Sequence, residues 1–245
     1  MSSLKKYILI FDFDETIING DSEDDLLKNI FPKEEYDNIM NNLNELDFFE
    51  GFNYYFKRMK ELNITLKDIN QALEKIKLSP KFDVLFNYLK NNKSSYEIII
   101  CSSGIDYSIK HILNYYNYLD IFDNIISTKG YLENENSEKL ISVPKNQFNH
   151  NCNLCPVSLC KTTEIKKYLE KYKNKFEKIL YVGDGSNDFC PAKNLLKKGD
   201  IVFPRFNNSL YKMIFENEKK NELKCEIVPW KSGDDIILKL KELSC

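Results

Sequence analysis

Residues Tyr181 to Cys190 read Y-V-G-D-G-S-N-D-F-C, directly after the apolar run Lys178-Ile179-Leu180. A short apolar strand, Lys178–Val182, thus runs into two glycines and two aspartates four apart, Asp184 and Asp188. Open α/β sheets bind ligands beyond the carboxyl ends of their strands. Carboxylates on a tight glycine turn there suit a hard cation such as Mg²⁺. Far upstream the device recurs: Tyr7–Phe11 (Y-I-L-I-F) ends in Asp12-Phe13-Asp14-Glu15-Thr16. Two acid-tipped strands imply one shared metal site, and phosphoryl chemistry is its natural use.

Further short apolar runs bounded by turn residues extend the pattern: Glu97–Cys101, Asp200–Phe203 and, more weakly, Asn124–Ser127. Such runs fit parallel strands buried on both faces. Helical spacing separates them. Phe82, Leu85, Phe86 and Leu89 follow a Ser79 N-cap with Pro80 at the first helical position. Ile165, Tyr168, Leu169 and Tyr172 repeat the spacing, as do Leu195 and Leu196, then Ile236, Ile237 and Leu240. The expected class is α/β: a Rossmann-like parallel sheet with helices on both faces. From Asn19 to Leu78 no strand is evident. That stretch reads as short amphipathic helices rich in aromatics (Phe48, Phe49, Phe52, Tyr54, Tyr55, Phe56), a helical cap inserted after the first strand. The expected division is a core of residues 1–18 and 79–245 with a cap at 19–78, which would overhang the strand ends as a lid. Residues 127–153 are polar and irregular, with a hairpin expected around Lys129-Gly130.

The bulk numbers narrow the class. The 245 residues carry 35 Lys+Arg against 37 Asp+Glu, a formal net charge of −2, so no basic nucleic-acid footprint is present. A hydrophobic share of 42% supports a core rather than disorder. After Lys5 and Lys6 only five apolar residues precede Asp12, too few for a signal peptide or a membrane span, and no later run is long enough. The expectation is a soluble cytoplasmic enzyme with no membrane or nucleic-acid partner. The sequons at Asn63, Asn92 and Asn207 are then read as chance. Seven cysteines without a secretory signal do not suggest a disulfide framework.

The residue types state the chemistry. A carboxylate can attack phosphorus and form an aspartyl-phosphate, and a second carboxyl group can protonate the leaving oxygen and then activate water. Mg²⁺ and a lysine would offset the repulsion between carboxylate and phosphate. Asp12 and Asp14 could supply both roles; their structural reading is a helix-capping acid pair. Ser102, in Cys101-Ser102-Ser103-Gly104, offers a hydroxyl to a phosphate oxygen, with Ser103 as its rival and ordinary turn chemistry as the structural reading.

In order, Asp12-x-Asp14-x-Thr16, Ser102, Lys161 before a helix, and Gly183-Asp184-Gly185-Ser186-Asn187-Asp188 resemble the four motifs of haloacid-dehalogenase-type phosphatases. The resemblance runs through nearly the whole chain. The branch it resembles is the phosphoethanolamine/phosphocholine phosphatase-like and pyridoxal-phosphate phosphatase-like one, on Gly183 to Pro191 and on His150-x-Cys152-x-x-Cys155-Pro156 leading to Leu159-Cys160-Lys161. It implies Asp12 as nucleophile and Mg²⁺ ligand, and Asp14 as general acid/base that also ligates Mg²⁺ through its carbonyl. It implies Ser102 and Lys161 as phosphoryl holders, Asp184 as a Mg²⁺ ligand and Asp188 as metal support, direct or through water. Two positions depart from the branch: Ser103 stands where an acid is usual, and Ser22-Glu23-Asp24 where Ser-Asp-Asp is. The first favours a substrate that depends less on a cationic head group.

The acidic run Asp21, Glu23, Asp24, Asp25 has two readings. Glu23 and Asp24 form a rim for an amine-bearing substrate, or Ser22 caps a helix whose first-turn acids favour its dipole. His150, Cys152, Cys155 and Cys160 have ligand types and spacing for a structural zinc, or form a reduced thiol cluster; Cys190 reads as a small apolar residue. His111 reads as surface or core, and Trp230 as packing for a C-terminal helix. Arg205 reads as a structural cation at the sheet edge, or as a partner for a site carboxylate such as Asp188. The functional expectation is Mg²⁺-dependent hydrolysis of a small phosphorylated metabolite through an aspartyl-phosphate. Pyridoxal 5′-phosphate, phosphoethanolamine, phosphocholine and thiamine monophosphate fit, with phosphoserine more distant. The alternatives are a phosphotransferase or mutase on the same core, and a non-catalytic phosphometabolite sensor with a Cys/His zinc site. Nothing in the sequence indicates an oligomeric state.

Overall fold

The apolar pentapeptide Tyr7–Phe11 forms β1, the centre of the sheet in the computed structural model, which describes residues 6–132, 141–142, 150–171 and 176–243. β1 pairs in parallel with β2 (Tyr96–Ile105) on one side and β6 (Lys178–Gly183) on the other. With β3 (Asn124–Thr128), β7 (Ile201–Pro204) and β8 (Glu226–Ile227) the strand order is β3-β2-β1-β6-β7-β8, all parallel. Both faces are covered, which is why β1 is apolar at every position rather than at alternate ones. Ile8 and Ile10 face a layer of α7 (Lys161–Glu170), α8 (Phe189–Asn194) and α9 (Ser209–Phe215). Leu9 and Phe11 face the layer of α5 (Phe82–Asn91), α6 (Asp106–Tyr115) and α10 (Gly233–Glu242). Phe11 meets Phe82, Phe86 and Phe122 edge-on, with ring centroids 6.2, 6.1 and 6.3 Å away.

Four helices lie between β1 and α5: α1 (Ser22–Ile30), α2 (Lys33–Leu43), α3 (Phe48–Glu61) and α4 (Leu66–Leu73). Asp47 caps α3 through the Glu50 N–H, and Thr65 with Asp68 forms a capping box on α4. The chain enters and leaves this helical insert at one point. Ile18 bridges Leu78 in antiparallel sense, the Asn19 N–H donates to Lys77 O at 2.8 Å, and the Ser79 N–H donates to Ile17 O at 2.9 Å. The Ser79 hydroxyl donates to Ile18 O, so it is spent on this crossing and does not cap α5; Lys81, at φ 62°, occupies that N-cap instead.

Other expectations shift for local reasons. β2 continues past Cys101 to Ile105 because its register with β3 slips between those residues, a bulge that absorbs the polar Ser102-Ser103-Gly104. Asp21, not Ser22, caps α1, accepting the N–H groups of Glu23 and Asp24. α8 stops at Asn194: the N–H groups of Leu195 and Leu196 share the Pro191 carbonyl, so neither leucine continues the helix. Lys129-Gly130 is not a hairpin turn. Short β4 (Tyr131–Leu132) and β5 (Ile141–Ser142) pair antiparallel beyond it, and the Gly130 N–H donates to Asp106. Trp230 is fully buried against Phe82 of α5, its Nε1–H donating to Phe203 O. Tyr172 lies outside the described residues. Among the described residues no helix is long and apolar enough to cross a membrane.

Candidate active site

β1 and β6 are in parallel register, Phe11 opposite Val182, so Asp12 and Asp184 leave the sheet side by side. The Asp12 N–H donates to Val182 O at 2.9 Å, and the Phe13 N–H donates to Asp12 Oδ1 at 2.8 Å, which together fix the carboxylate at the strand tip. Lys161, the first residue of α7, is fully buried. Its Nζ lies 2.8 Å from Asp12 Oδ2 and 2.5 Å from Asp188 Oδ1. An ammonium removed from water needs such partners. Burial pushes the Lys161 ammonium down, but Asp12 and Asp188 outweigh it and hold it above the ordinary lysine range.

Asp188 is the hub. Its Oδ1 accepts from Lys161 and from the Tyr181 hydroxyl (2.5 Å), and its Oδ2 accepts the N–H groups of Asp184 (2.9 Å) and Gly185 (2.8 Å). The carboxylate thereby closes the turn on itself. Gly183 is required for this: a Cβ there would lie 2.5 Å from the Asp188 carboxyl. Asp184 accepts from Thr16 Oγ1 and Asn208 Nδ2, both at 3.2 Å.

Carboxylate oxygens of Asp12, Asp184 and Asp188 all lie within 4.8 Å of one another, and all three residues are buried. Burial and repulsion from Asp188 and Asp184 raise the Asp12 carboxyl well above the usual range despite Lys161. Burial and Asp188 push Asp184 up to about 6. Three carboxylates against one ammonium leave an excess of negative charge in a dry site, and a divalent cation with oxygen preference fits it.

Asp14 points elsewhere. Its Oδ1 accepts the Ser22 N–H at 2.7 Å, and burial followed by repulsion from Asp21 raises its carboxyl well above the usual range. Across from it, buried Ser102 accepts the Gly104 N–H at 3.1 Å, leaving its own O–H to donate. Gly104 permits the approach: a Cβ there would sit 3.2 Å from Asp14 Oδ2 and 3.4 Å from Ser102 Oγ. Ser103 accepts from the Thr128 hydroxyl through its carbonyl. Beside Asp14, Ser103 and Gly104 a cavity of about 480 Å³ opens toward the insert, lined also by Glu23, Phe48, Phe52 and Tyr55.

Glu23 and Asp24 both line that cavity, but in different states. Glu23 accepts from the Tyr55 hydroxyl (2.5 Å) and Ser108 (3.2 Å), and burial pushes it up to about 7. Asp24 is already paired with Lys28 and accepts from Tyr36, each at 2.5 Å. Arg205 does not reach Asp188. It donates to the Glu15 carbonyl at 2.5 Å and to Asn19, and its guanidinium lies 5.3 Å from the Trp230 ring centre. His111 stacks on Tyr107, away from the site. Tyr181, Tyr55 and Asn208 were not anticipated. A hydroxyl inside an otherwise apolar buried strand was the available signal for Tyr181; Asn208 had none.

The sequence model of a family described as Putative Phosphatase matches residues 7–244. A phosphoethanolamine/phosphocholine phosphatase of Gallus gallus is 32% identical over 248 residues, covering 97% of this chain and 89% of that protein. The pyridoxal phosphate phosphatase PHOSPHO2 of Homo sapiens is 29% identical, covering 97% and 98%. Among solved structures, a phospho-aspartyl intermediate analogue of phosphoserine phosphatase superposes with a TM-score of 0.59 at 18% identity, covering 96% of this chain and 99% of that one, a likeness of fold.

Proposed function

The chain belongs to this phosphatase family, of the haloacid-dehalogenase type, and from that premise we propose that it hydrolyses a small phosphomonoester through an aspartyl-phosphate on Asp12. The observation that carries the reading is the buried Lys161 bridging Asp12 and Asp188, with Asp184 alongside. Asp12 attacks phosphorus through its carboxylate, whose ionised form the Lys161 ammonium favours against burial and the neighbouring carboxylates. Lys161 and the Ser102 O–H hold the phosphoryl oxygens. Asp14, whose buried setting favours the protonated form, gives its proton to the leaving alkoxide. The same carboxylate then takes a proton from water, which attacks phosphorus and releases inorganic phosphate and free Asp12. A divalent ion, Mg²⁺ in this reading, would be held by Asp12, Asp184 and the Asp14 carbonyl with Asp188 behind, and would supply positive charge against carboxylate–phosphate repulsion.

Specificity falls to the cavity, because the groups at the strand tips address only the phosphoryl group. In this proposal residues 19–78 act as a lid that excludes water during the first transfer and readmits it for the second. Its wall of Glu23, Phe48, Phe52 and Tyr55 suits the compact non-phosphate ends of pyridoxal 5′-phosphate, phosphoethanolamine or phosphocholine. The test is phosphate release from a panel of such esters, with and without Mg²⁺, beside Asp12→Asn. Mg²⁺-dependent release that disappears in Asp12→Asn is expected. Undiminished release in that variant would end the aspartyl-phosphate reading.

A further inference from the structure

Four cysteines that the reaction does not use converge beneath the site. Cys152 and Cys155 come from one loop, Cys160 from the N-cap of α7 and Cys190 from the first turn of α8, yet their four Sγ atoms all lie within 4.8 Å of one another. The Cys152–Cys190 pair is 3.5 Å apart and the Cys160–Cys190 pair 4.0 Å, and all four are free thiols. A tetrahedron of thiolates around zinc at about 2.3 Å places its sulfurs about 3.8 Å apart. Cys160 and Cys190 are buried and Cys152 and Cys155 half-buried, so the cluster reaches from the core toward the surface. We propose that Cys152, Cys155, Cys160 and Cys190 bind one Zn²⁺ as a structural tetrathiolate site.

The surroundings fit a thiolate cluster. The Leu154 N–H donates to Cys152 Sγ at 3.4 Å, the Asn194 amide donates to Cys190 Sγ at 3.6 Å, and Thr162 Oγ1 lies 3.0 Å from Cys190 Sγ. Outer hydrogen bonds of this kind orient ligands and spread their charge. Cys152 and Cys155 supply the two-residue spacing common in zinc knuckles. His150 is excluded: its Nδ1 accepts the Cys152 N–H, and its Nε2 sits 3.0 Å from Pro156 O. Cys190 takes the place the sequence pattern assigned to that histidine. Soft thiolates and hard carboxylates sort two metals between neighbouring sites without competition.

The placement gives the metal a task. Cys160 precedes Lys161 and Cys190 follows Asp188 by two residues, so one ion would tie the loop at 150–160, the start of α7 and the Asp184–Asp188 turn together. It would set the Lys161–Asp188 contact from behind, taking no part in the reaction itself.

The test is elemental analysis of the full chain, purified without a histidine tag or added zinc. One zinc per chain is expected, retained in Asp184→Asn and lost in Cys155→Ser and Cys190→Ser. Chain produced in cobalt-supplemented, zinc-poor medium should show the intense thiolate-to-cobalt charge-transfer bands of a tetrahedral sulfur site. That spectrum is read on the unsubstituted chain, so it decides even if both serine variants fail to fold. Under half an equivalent of zinc with no charge-transfer band, iron in place of zinc, or a disulfide among these four cysteines in freshly purified protein would each overturn the proposal.

Discussion

Replacing Lys161 with Met keeps the length and volume of a fully buried side chain while deleting its charge. Two charge-assisted hydrogen bonds disappear, to Asp12 at 2.8 Å and to Asp188 at 2.5 Å, each contributing roughly 1.5–3 kcal/mol. The two carboxylates then face each other with no cation between them. Removing one member of such a buried cluster costs about 3–5 kcal/mol. For a chain of this length each kcal/mol lowers Tm by about 2–4 °C, so a fall of roughly 6–20 °C is expected at pH 7 in the absence of divalent ions. Urea unfolding of Lys161→Met, Asp12→Asn and the double variant isolates the interaction. With Asp12 already neutral, the lysine has one charged partner fewer, so its loss should cost about 1–3 kcal/mol less than in the parent. Equal costs in both backgrounds would refute the coupled cluster, and with it the account of why a lysine sits there.

Three further outcomes follow from other parts of the site. Glu23 is raised from 4.5 to about 7 in the folded chain, so the folded state holds the extra proton and stability falls as pH rises through that window. Glu23→Gln should therefore match the parent near pH 4.5 and exceed it by about 1–3 kcal/mol above pH 7, read from urea melts; a pH-independent difference would count against a buried acid. In Gly183→Ala the new methyl meets the Asp188 carboxyl at 2.5 Å, which should cost about 1–3 kcal/mol and most phosphate release; parental activity would show that the turn can give way. Phe52→Leu removes one aromatic wall of the cavity and should raise KM for the preferred ester several-fold with a smaller change in kcat, whereas an unchanged KM would place the substrate elsewhere.

Much of the frame was open to sequence reading because both faces of this sheet are buried. β1 has the expected bounds, and β6 extends the expected strand by Gly183 alone, since uninterrupted apolar runs ending in aspartate admit few alternatives. Ser102-Ser103-Gly104 concealed the end of β2, because a bulge lets polar residues stay in a strand. Ser22 and Asp21 both carry capping side chains, and only the fold decides which is used. The carboxylates of Asp12, Asp184 and Asp188 were placed together by the strand-tip pattern. Lys161 looks like any surface lysine until burial between two carboxylates sets it apart. Cys190 lies thirty residues from Cys160, and no local spacing signals that they meet.

The central position of β1 has a consequence for how the chain is made. Tyr7–Phe11 is made well before its partners, Tyr96–Ile100 and Lys178–Val182. At about 5–20 residues per second, roughly ten to thirty seconds pass before the second partner exists. Helices α1–α4 rely mostly on contacts close in sequence and can form within that interval, while the sheet must wait for nearly the whole chain. Until then the strand that carries Asp12 is a naked apolar segment with both edges open. Ribosome-stalled chains ending before Lys178 should thus be the ones that recruit chaperones, and Asp12 waits at an open strand tip until β6 arrives beside it.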